Sequence, residues 1–345
     1  MSKLKAAVLG ATGMVGQKFV QLLEGHPWFE LTAVAASERS QSKIYSEAAR
    51  WVLGGVIPPE AAELEVKPVT PEALKGVDMV FSALPADIAS KVEEDFAREG
   101  FIVLSNASAH RMDVDVPLMN PEVNSDHAAL LEEQRRRRKW DGAIVTNPNC
   151  TTAILTLSLK PIFDHFGISS LVVSTMQAIS GAGYPGVVAM DIVDNIIPFI
   201  KEEEEKVERE CLKILGSSGR AASFKVSASC HRVAVLDGHT EAVFVETERP
   251  IDPEDAATVM REFKGEPQRL RLPSAPEQPI VVRTEVDRPQ PRLDRMAGKG
   301  MSVVVGRIRR NFCGVKYVVS GHNVIRGAAG CSILNAEILK AKGYL

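Results

Sequence analysis

The sequence predicts an α/β chain of two domains: a parallel, helix-covered sheet, followed by an α+β domain with a mainly antiparallel sheet. Three observations predict it. Apolar strand-length runs alternate with helical runs from Leu4 to Pro148. Beyond Ser170, strand-like segments recur at closer intervals. A chain of 345 residues also exceeds what one core of ordinary size encloses.

In the first half, "LKAAVLG" reads as a buried strand and "MVGQKFVQLLEG" as a helix stopped by Gly25. "FELTAVAAS" and "VDMVFSAL" are strands, and "PADIASKVEEDFAREG" is a helix opened by Pro85 and closed by Gly100. "GFIVLSN" and "GAIVTN" are two further strands. Such alternation builds a parallel sheet covered on both faces. A long helix then runs from Cys150 to about Phe166. "SSLVVSTMQAIS", "SFKVSASCHRVAVLDGHTEAVFVET", "IVVRT", "MSVVVGRIRR" and "GVKYVVSG" follow as strands, interrupted by helices near 187–197 and 202–215. Asp237-Gly238 reads as a two-residue hairpin turn. "RTEVDRPQPR" reads as an exposed loop, and "AAGCSILNAEILKAKGY" as a closing helix with an apolar face. The domains are expected at 1–148 and 149–323.

Apolar residues make up 45% of the chain and charged residues 25%, with a net charge of −3. That balance gives no bulk attraction to nucleic acid or membrane. No run approaches membrane-spanning length, and the apolar stretch in "MSKLKAAVLGATG" is too short for a signal peptide. "RRRRK", Arg135 to Lys139, reads as a solvated helix end or loop. The cysteines, at 150, 211, 230, 313 and 331, are odd in number, and no pair has CxxC spacing. This excludes a disulfide framework or zinc ribbon, leaves no expected metal site, and points to a reducing cytoplasm.

"VLGATGMVGQKF" places Gly10, Gly13 and Gly16 between a strand and a helix. Glycines there let the backbone approach a pyrophosphate, and the turn and first helical residues (Thr12, Met14, Val15) offer N–H groups to its charge. The spacing is GxxGxxG, at the start of a βαβ pattern, so a Rossmann-type dinucleotide site is expected. After the second strand come Ser37, Arg39 and Ser40. Hydroxyls and a guanidinium suit a 2′-phosphate and favour NADP, whereas Glu38 between them suits a ribose hydroxyl.

"TNPNCTTAIL" puts Cys150 where a strand ends and a helix begins. Most free cysteines are small buried hydrophobes, and that reading suits Cys211, Cys313 and Cys331. A helix start favours a thiolate, but roughly 1 kcal/mol of dipole stabilisation lowers a pKa by less than one unit. A base must assist, and His239 is the best-placed histidine. Across the expected hairpin, Arg232, Ala234, Leu236 and His239 share one side of the sheet. Arg232 and His239 then stand roughly 13 Å apart by strand rise; both addressing one small ligand, and a half-exposed hairpin with a polar face, fit this spacing equally.

"GATGMVG", "SNASAHRM", "NPNCTT", "TMQAISGAG", "EEEEKVERECLKILG" and "SCHRVAVLDGHTE" together resemble the aspartate-semialdehyde dehydrogenase family, its archaeal and fungal branch most closely. The resemblance runs, in the family's order, over nearly the whole chain. It implies Cys150 as the nucleophile that forms an acyl-thioester, His239 as acid/base, and Gln177 as the residue orienting the substrate. It implies Arg232 for the substrate carboxylate, Glu203 for its ammonium, and Arg111, Lys206 and Asn149 for phosphate. Ser180 and Gly181 would support the nicotinamide, with Asn323 touching it from the far side. It also implies a homodimer or dimer of dimers built by the second domain, and a closing segment, 324–345, packed back on the first. The small-molecule substrate would be aspartyl phosphate or aspartate semialdehyde with phosphate. Malonyl-CoA reduction is the rival chemistry within the family, and a non-catalytic NADP sensor is the rival outside it. Planar bidentate recognition suits arginine to a carboxylate. Glu203 and Lys206, three apart on a helix, could present an acid and a base on one face.

Overall fold

The computed structural model describes residues 2–345, which divide into two compact units. The first comprises residues up to Met119, Asp126–Pro148 and Ala328–Leu345. Its six strands are β1 (Leu4–Leu9), β2 (Phe29–Ala35), β3 (Val66–Lys67), β4 (Met79–Ser82), β5 (Ile102–Ser105) and β6 (Ala143–Thr146). They form one parallel sheet in the order β3-β2-β1-β4-β5-β6. β4, β5 and β6 are buried at every position, which explains their unbroken apolar sequence. Helices α1 (Met14–Leu23), α2 (Ala86–Arg98) and α3 (Leu130–Arg138) connect the strands. The order reverses between β1 and β4, and in open parallel sheets that reversal opens a ligand crevice at the strands' C-terminal ends. The basic run ends α3, where Arg138 is no solvated bystander. It bonds Asp115 and Asp113, at 2.6 and 2.8 Å.

The second unit comprises Asn120–Ser125 and Asn149–Gly327. Its sheet contains β7 (Ser170–Gln177), β8 (Lys225–Arg232), β9 (His239–Glu246), β10 (Ile280–Val282), β11 (Val303–Asn311) and β12 (Gly314–Gly321), ordered β10-β11-β12-β9-β7-β8. The sheet is mixed: β7–β8 and β10–β11 are parallel, and the other three pairs are antiparallel. Helix α4 (Cys150–Phe166) is buried along most of its length, and α5 (Glu203–Leu215) turns Val207, Cys211 and Ile214 inward. The helix expected near 187–197 is a single turn, Ala189–Ile192.

The expected hairpin at Asp237-Gly238 does not form. β7 lies between β8 and β9, pairing with both. The 233–238 segment instead crosses the end of β7, fixed by Val233 N–H to Gln177 O, Ile179 N–H to Val235 O and Ser180 N–H to Leu236 O. A strand followed by Asp-Gly and another strand looks the same in sequence whether the two pair directly or straddle a third. Cys313 also departs from expectation: it is exposed on the turn between β11 and β12, beside exposed Phe312.

The expected domain limits differ at two places. Residues 120–125 and 324–327 group with the second unit, and one buried ion pair explains both. Fully buried Arg326 donates from Nη1 to Glu122 Oε2 at 2.7 Å, from Nη2 to Glu122 Oε1, and from Nε to Met301 O at 2.7 Å. Removing one member of such a pair strands the other's charge, typically at a cost of about 3–5 kcal/mol. Arg326→Met should therefore lower the unfolding free energy, measured by urea titration, by that order. Adding Glu122→Leu should recover part of the loss, because no stranded charge then remains.

Candidate functional site

In the first unit, the glycine turn lies at the reversal between β1 and β4. Gly10 has φ +74°, and a Cβ there would stand 2.7 Å from Ala83 O, just past β4. A Cβ on Gly16 would lie 2.1 Å from Gly10 O, so the helix start can approach the turn only without a side chain. Two residues missed in the sequence reading set the turn's polarity. The buried Tyr45 hydroxyl donates to Ala11 O at 2.8 Å, and Gln17 Nε2 donates to Thr12 O at 2.9 Å. With these carbonyls held from behind, and no side chain capping α1 at Gly13, the N–H groups of Met14, Val15 and Gly16 remain for an anion. Ser37 and Arg39 are exposed just after β2, and Ser40 is half-buried. Arg39 has no acidic partner among the described residues. These features fit a dinucleotide carrying a 2′-phosphate. Arg111 is also in this unit, buried, with Nη2 donating to Asn106 O at 2.9 Å.

In the second unit, a polar row crosses three strands at the sheet's end. Arg232 on β8 pairs with Gln177 on β7. The β7–β9 register, which runs to Met176 opposite Thr240, brings His239 level with Gln177. Behind this row lie Cys230, Thr175 and Glu241. Period-two burial puts all six on the sheet's inner face.

Cys150 is the first residue of α4 and is partly exposed. Its Sγ lies 3.1 Å from His239 Nε2. The other imidazole nitrogen, Nδ1, accepts from Ala178 N–H at 3.0 Å. Ala178 O in turn accepts from Arg232 Nη1 at 2.8 Å. A Cβ on Gly181 would stand 2.7 Å from Arg232 Nη1 and 3.4 Å from His239 Nε2, so the two heads converge on the same small space. Gly327 closes the back of the nucleophile, where a Cβ would come within 2.7 Å of Cys150 Cβ. Burial, with Arg232 and His322 nearby, pulls the His239 pKa down to about 3.

Glu203 is buried, and its Oε1 accepts from Gln177 Nε2 at 2.8 Å and from Asn149 Nδ2 at 2.9 Å. Two amide donors on one oxygen fix the position of this carboxyl group. Asn149 braces the start of α4 and Glu203. Its Oδ1 caps α4 by accepting from Thr151 N–H and Thr152 N–H, and its own N–H donates to Glu210 at 2.7 Å. Asn323 is engaged at both amide ends, by Gly238 N–H and Ser180 Oγ, each at 2.8 Å. The expected Glu203–Lys206 face does not form. Glu203 turns inward, while Lys206 is half-buried and pairs with Glu202, four residues before it, at 3.3 Å.

Two further acids of α5, Glu204 and Glu208, accept from Cys230 N–H and Ala228 N–H, capping the outer edge of β8. Glu241 carries no local sequence signal. It is fully buried, and neither carboxylate oxygen has a hydrogen-bond partner among the described residues. Burial pushes its pKa well above the usual carboxylate range, and nearby Glu203 adds to the shift. The folded chain therefore holds a proton that the unfolded chain releases above about pH 4.5. Its stabilising contribution is complete below that pH and is lost as pH rises. In Glu241→Gln that loss disappears, so the variant's Tm should fall less than the native Tm between roughly pH 5 and 8. Melting curves across that range check this.

The chain was compared with known proteins. The family model "Semialdehyde dehydrogenase, NAD binding domain" matches residues 5–131, and "Semialdehyde dehydrogenase, dimerisation domain" matches residues 159–326. The chain is 56% identical to the aspartate-semialdehyde dehydrogenase of Archaeoglobus fulgidus, with 98% of each chain covered. It is 44% identical to the malonyl CoA reductase (NADP) of Metallosphaera sedula, covering 99% of this chain and 98% of that one. A crystal structure of aspartate semialdehyde dehydrogenase with NADP from Candida albicans superposes with a TM-score of 0.91 at 43% identity, covering 99% of this chain and all of that one. By sequence over its full length and by fold, this chain belongs to the aspartate-semialdehyde dehydrogenase family.

Proposed function

We propose that the chain catalyses the NADPH-dependent reductive dephosphorylation of L-4-aspartyl phosphate. The products are L-aspartate 4-semialdehyde, NADP and phosphate, a step in biosynthesis of the aspartate-derived amino acids. The observation that carries this reading is the thiol–imidazole contact of 3.1 Å beside Arg232 and Glu203. A substrate bearing a carboxylate, an ammonium and an acyl phosphate finds in these side chains a guanidinium, a carboxyl group and a nucleophile.

Arg232 keeps its charge despite burial, as arginines do, and its N–H groups not bound to Ala178 suit the substrate carboxylate. Glu203, fixed by Asn149 and Gln177, suits the ammonium. Cys150 Sγ attacks the acyl carbon, its electron pair forming the C–S bond as the carbonyl pair moves to oxygen. Collapse breaks the C–O bond, and phosphate departs with that pair. Bound NADPH supplies the hydride that reduces the thioester carbon. The reduced species then expels sulfur as the aldehyde forms. In the first unit, the N–H groups of Met14, Val15 and Gly16 would hold the pyrophosphate, and Ser37, Arg39 and Ser40 the 2′-phosphate.

A homodimer suits this chain. The "dimerisation domain" match covers 159–326, and within that span Val172, Met190, Val193, Phe199 and Phe244 are exposed. Exposed apolar side chains of this number suggest a surface covered by a second copy. No helix among the described residues is long and apolar enough to cross a membrane. A cytoplasmic location is part of this proposal, supported by five cysteines without a disulfide.

Phosphate-dependent reduction of NADP by aspartate semialdehyde should be readily measured with the native chain and fall by about 10³-fold or more in Cys150→Ser. Turnover of malonyl-CoA without that activity would overturn the substrate assignment in favour of the malonyl-CoA reductase reading, since malonate has no ammonium for Glu203.

A further inference from the structure

We propose that His110 is a positioning residue, held as an imidazolium that ties the loop after β5 to α2 and so keeps Arg111 placed for phosphate. The inference rests on the reading of Arg111 as a phosphate ligand and adds the group that holds that ligand in place. Arg111 lies in the loop beyond β5, at the C-terminal end of the parallel sheet, where such sheets receive ligands. Its guanidinium suits phosphate oxygens, and its Nη2 donates to Asn106 O at 2.9 Å. The loop's own backbone therefore orients the guanidinium, and whatever fixes the loop fixes Arg111.

The partners of His110 demand two ring protons. Nε2 lies 3.1 Å from Ser90 O, on α2. Nδ1 lies 3.0 Å from Asp113 Oδ2. A backbone carbonyl can only accept, and so can an ionised carboxylate. Burial opposes the charge on Asp113, but hydrogen bonds from His110 and Arg138 hold its pKa below the usual carboxylate range. Its Oδ2 accepts from Arg138 Nη2 at 2.8 Å. A neutral imidazole has one N–H and one lone pair, so it would turn that lone pair on one of these two acceptors. Only the cation satisfies both. Burial of His110 opposes its charge, but the Asp113 hydrogen bond and the charges of Glu93, Asp113 and Glu94 outweigh it and raise the pKa above the usual histidine value.

The charged groups around the ring come from three elements. On α2 they are Glu93 and Glu94, and on the loop Asp113, with Arg111 next in the chain. From α3, Arg138 reaches Asp113, Asp115 and Glu94. Helix α2 thus holds the loop at both ends. At its start, Glu93 Oε1 accepts from Ser105 Oγ at 2.8 Å, and that oxygen accepts from Ala107 N–H at 3.1 Å. Burial pushes the Glu93 pKa up, and a carboxyl oxygen accepts from Ser105 with or without its proton. The tie at the loop's start therefore needs no particular charge. The tie at its close needs the His110 cation. As pH rises through the raised His110 pKa, the ring keeps one of its two bonds, the loop loosens, and Arg111 holds phosphate less well.

Glutamine at this position can reach one acceptor but carries no charge. In the phosphate-dependent assay, His110→Gln should raise the KM for phosphate roughly five- to tenfold near pH 6.5. At saturating phosphate, kcat and the KM for aspartate semialdehyde should stay within about threefold of native. The variant-to-native ratio of phosphate KM should fall toward one over the pH range in which the native ring loses its proton, because the native chain then lacks the cation too. ¹⁵N NMR of the native chain locates that range and should show His110 protonated at both nitrogens near pH 6.5. A ratio that stays constant with pH, an equal rise in both KM values, or a neutral His110 near pH 6.5 would overturn the inference. Arg111→Ala tests the reading beneath it: an unchanged phosphate KM there defeats Arg111 as the ligand, whatever the charge of His110.

Discussion

The peptide group of Ala178 fixes the chemistry of the second unit. Its N–H meets His239 Nδ1, and its carbonyl holds Arg232. One rigid group just past β7 therefore positions both an imidazole and a guanidinium. The sheet order makes this possible. Because β7 lies between β8 and β9, the last residues of β7 and β8 and the first residue of the antiparallel β9 form a row. Gly181 completes the arrangement, since any side chain there would fill the space on which they converge.

Around this point the unit sorts its buried carboxylates by their hydrogen bonds. Glu203 receives two amide donors. Glu241 receives none and keeps its proton. Glu122 is paired with a bidentate guanidinium. Buried acids must be paired, hydrogen-bonded or protonated, and this unit uses all three solutions. Glu203 and Glu210 both reach the nucleophile's helix start, through the side chain and the backbone N–H of Asn149.

Much of this was legible in the sequence. The parallel strands were visible because burial on both faces demands continuous apolar runs, as in β4 through β6. The helix from Cys150 to Phe166 announced itself by its apolar length after a strand-like run. Cys150 and His239 could be named because helix-start thiols and nearby imidazoles have a definite chemistry. The pairing of β8 and β9 through β7 was not legible, since strand order is set by long-range packing that no local turn signal encodes. Tyr45, Ala178 and Glu241 also escaped. Their importance lies in one hydrogen bond, or the lack of one, with residues distant in the chain. The bracing of the helix and Glu203 by Asn149 escaped as well.

The acids along α5 have a consequence for assembly. β8 ends the sheet on its side, and the free N–H groups of Ala228 and Cys230 would ordinarily invite another chain to continue the ladder. Glu204 and Glu208 occupy them instead. A strand added laterally to that flank would find these two donors already taken.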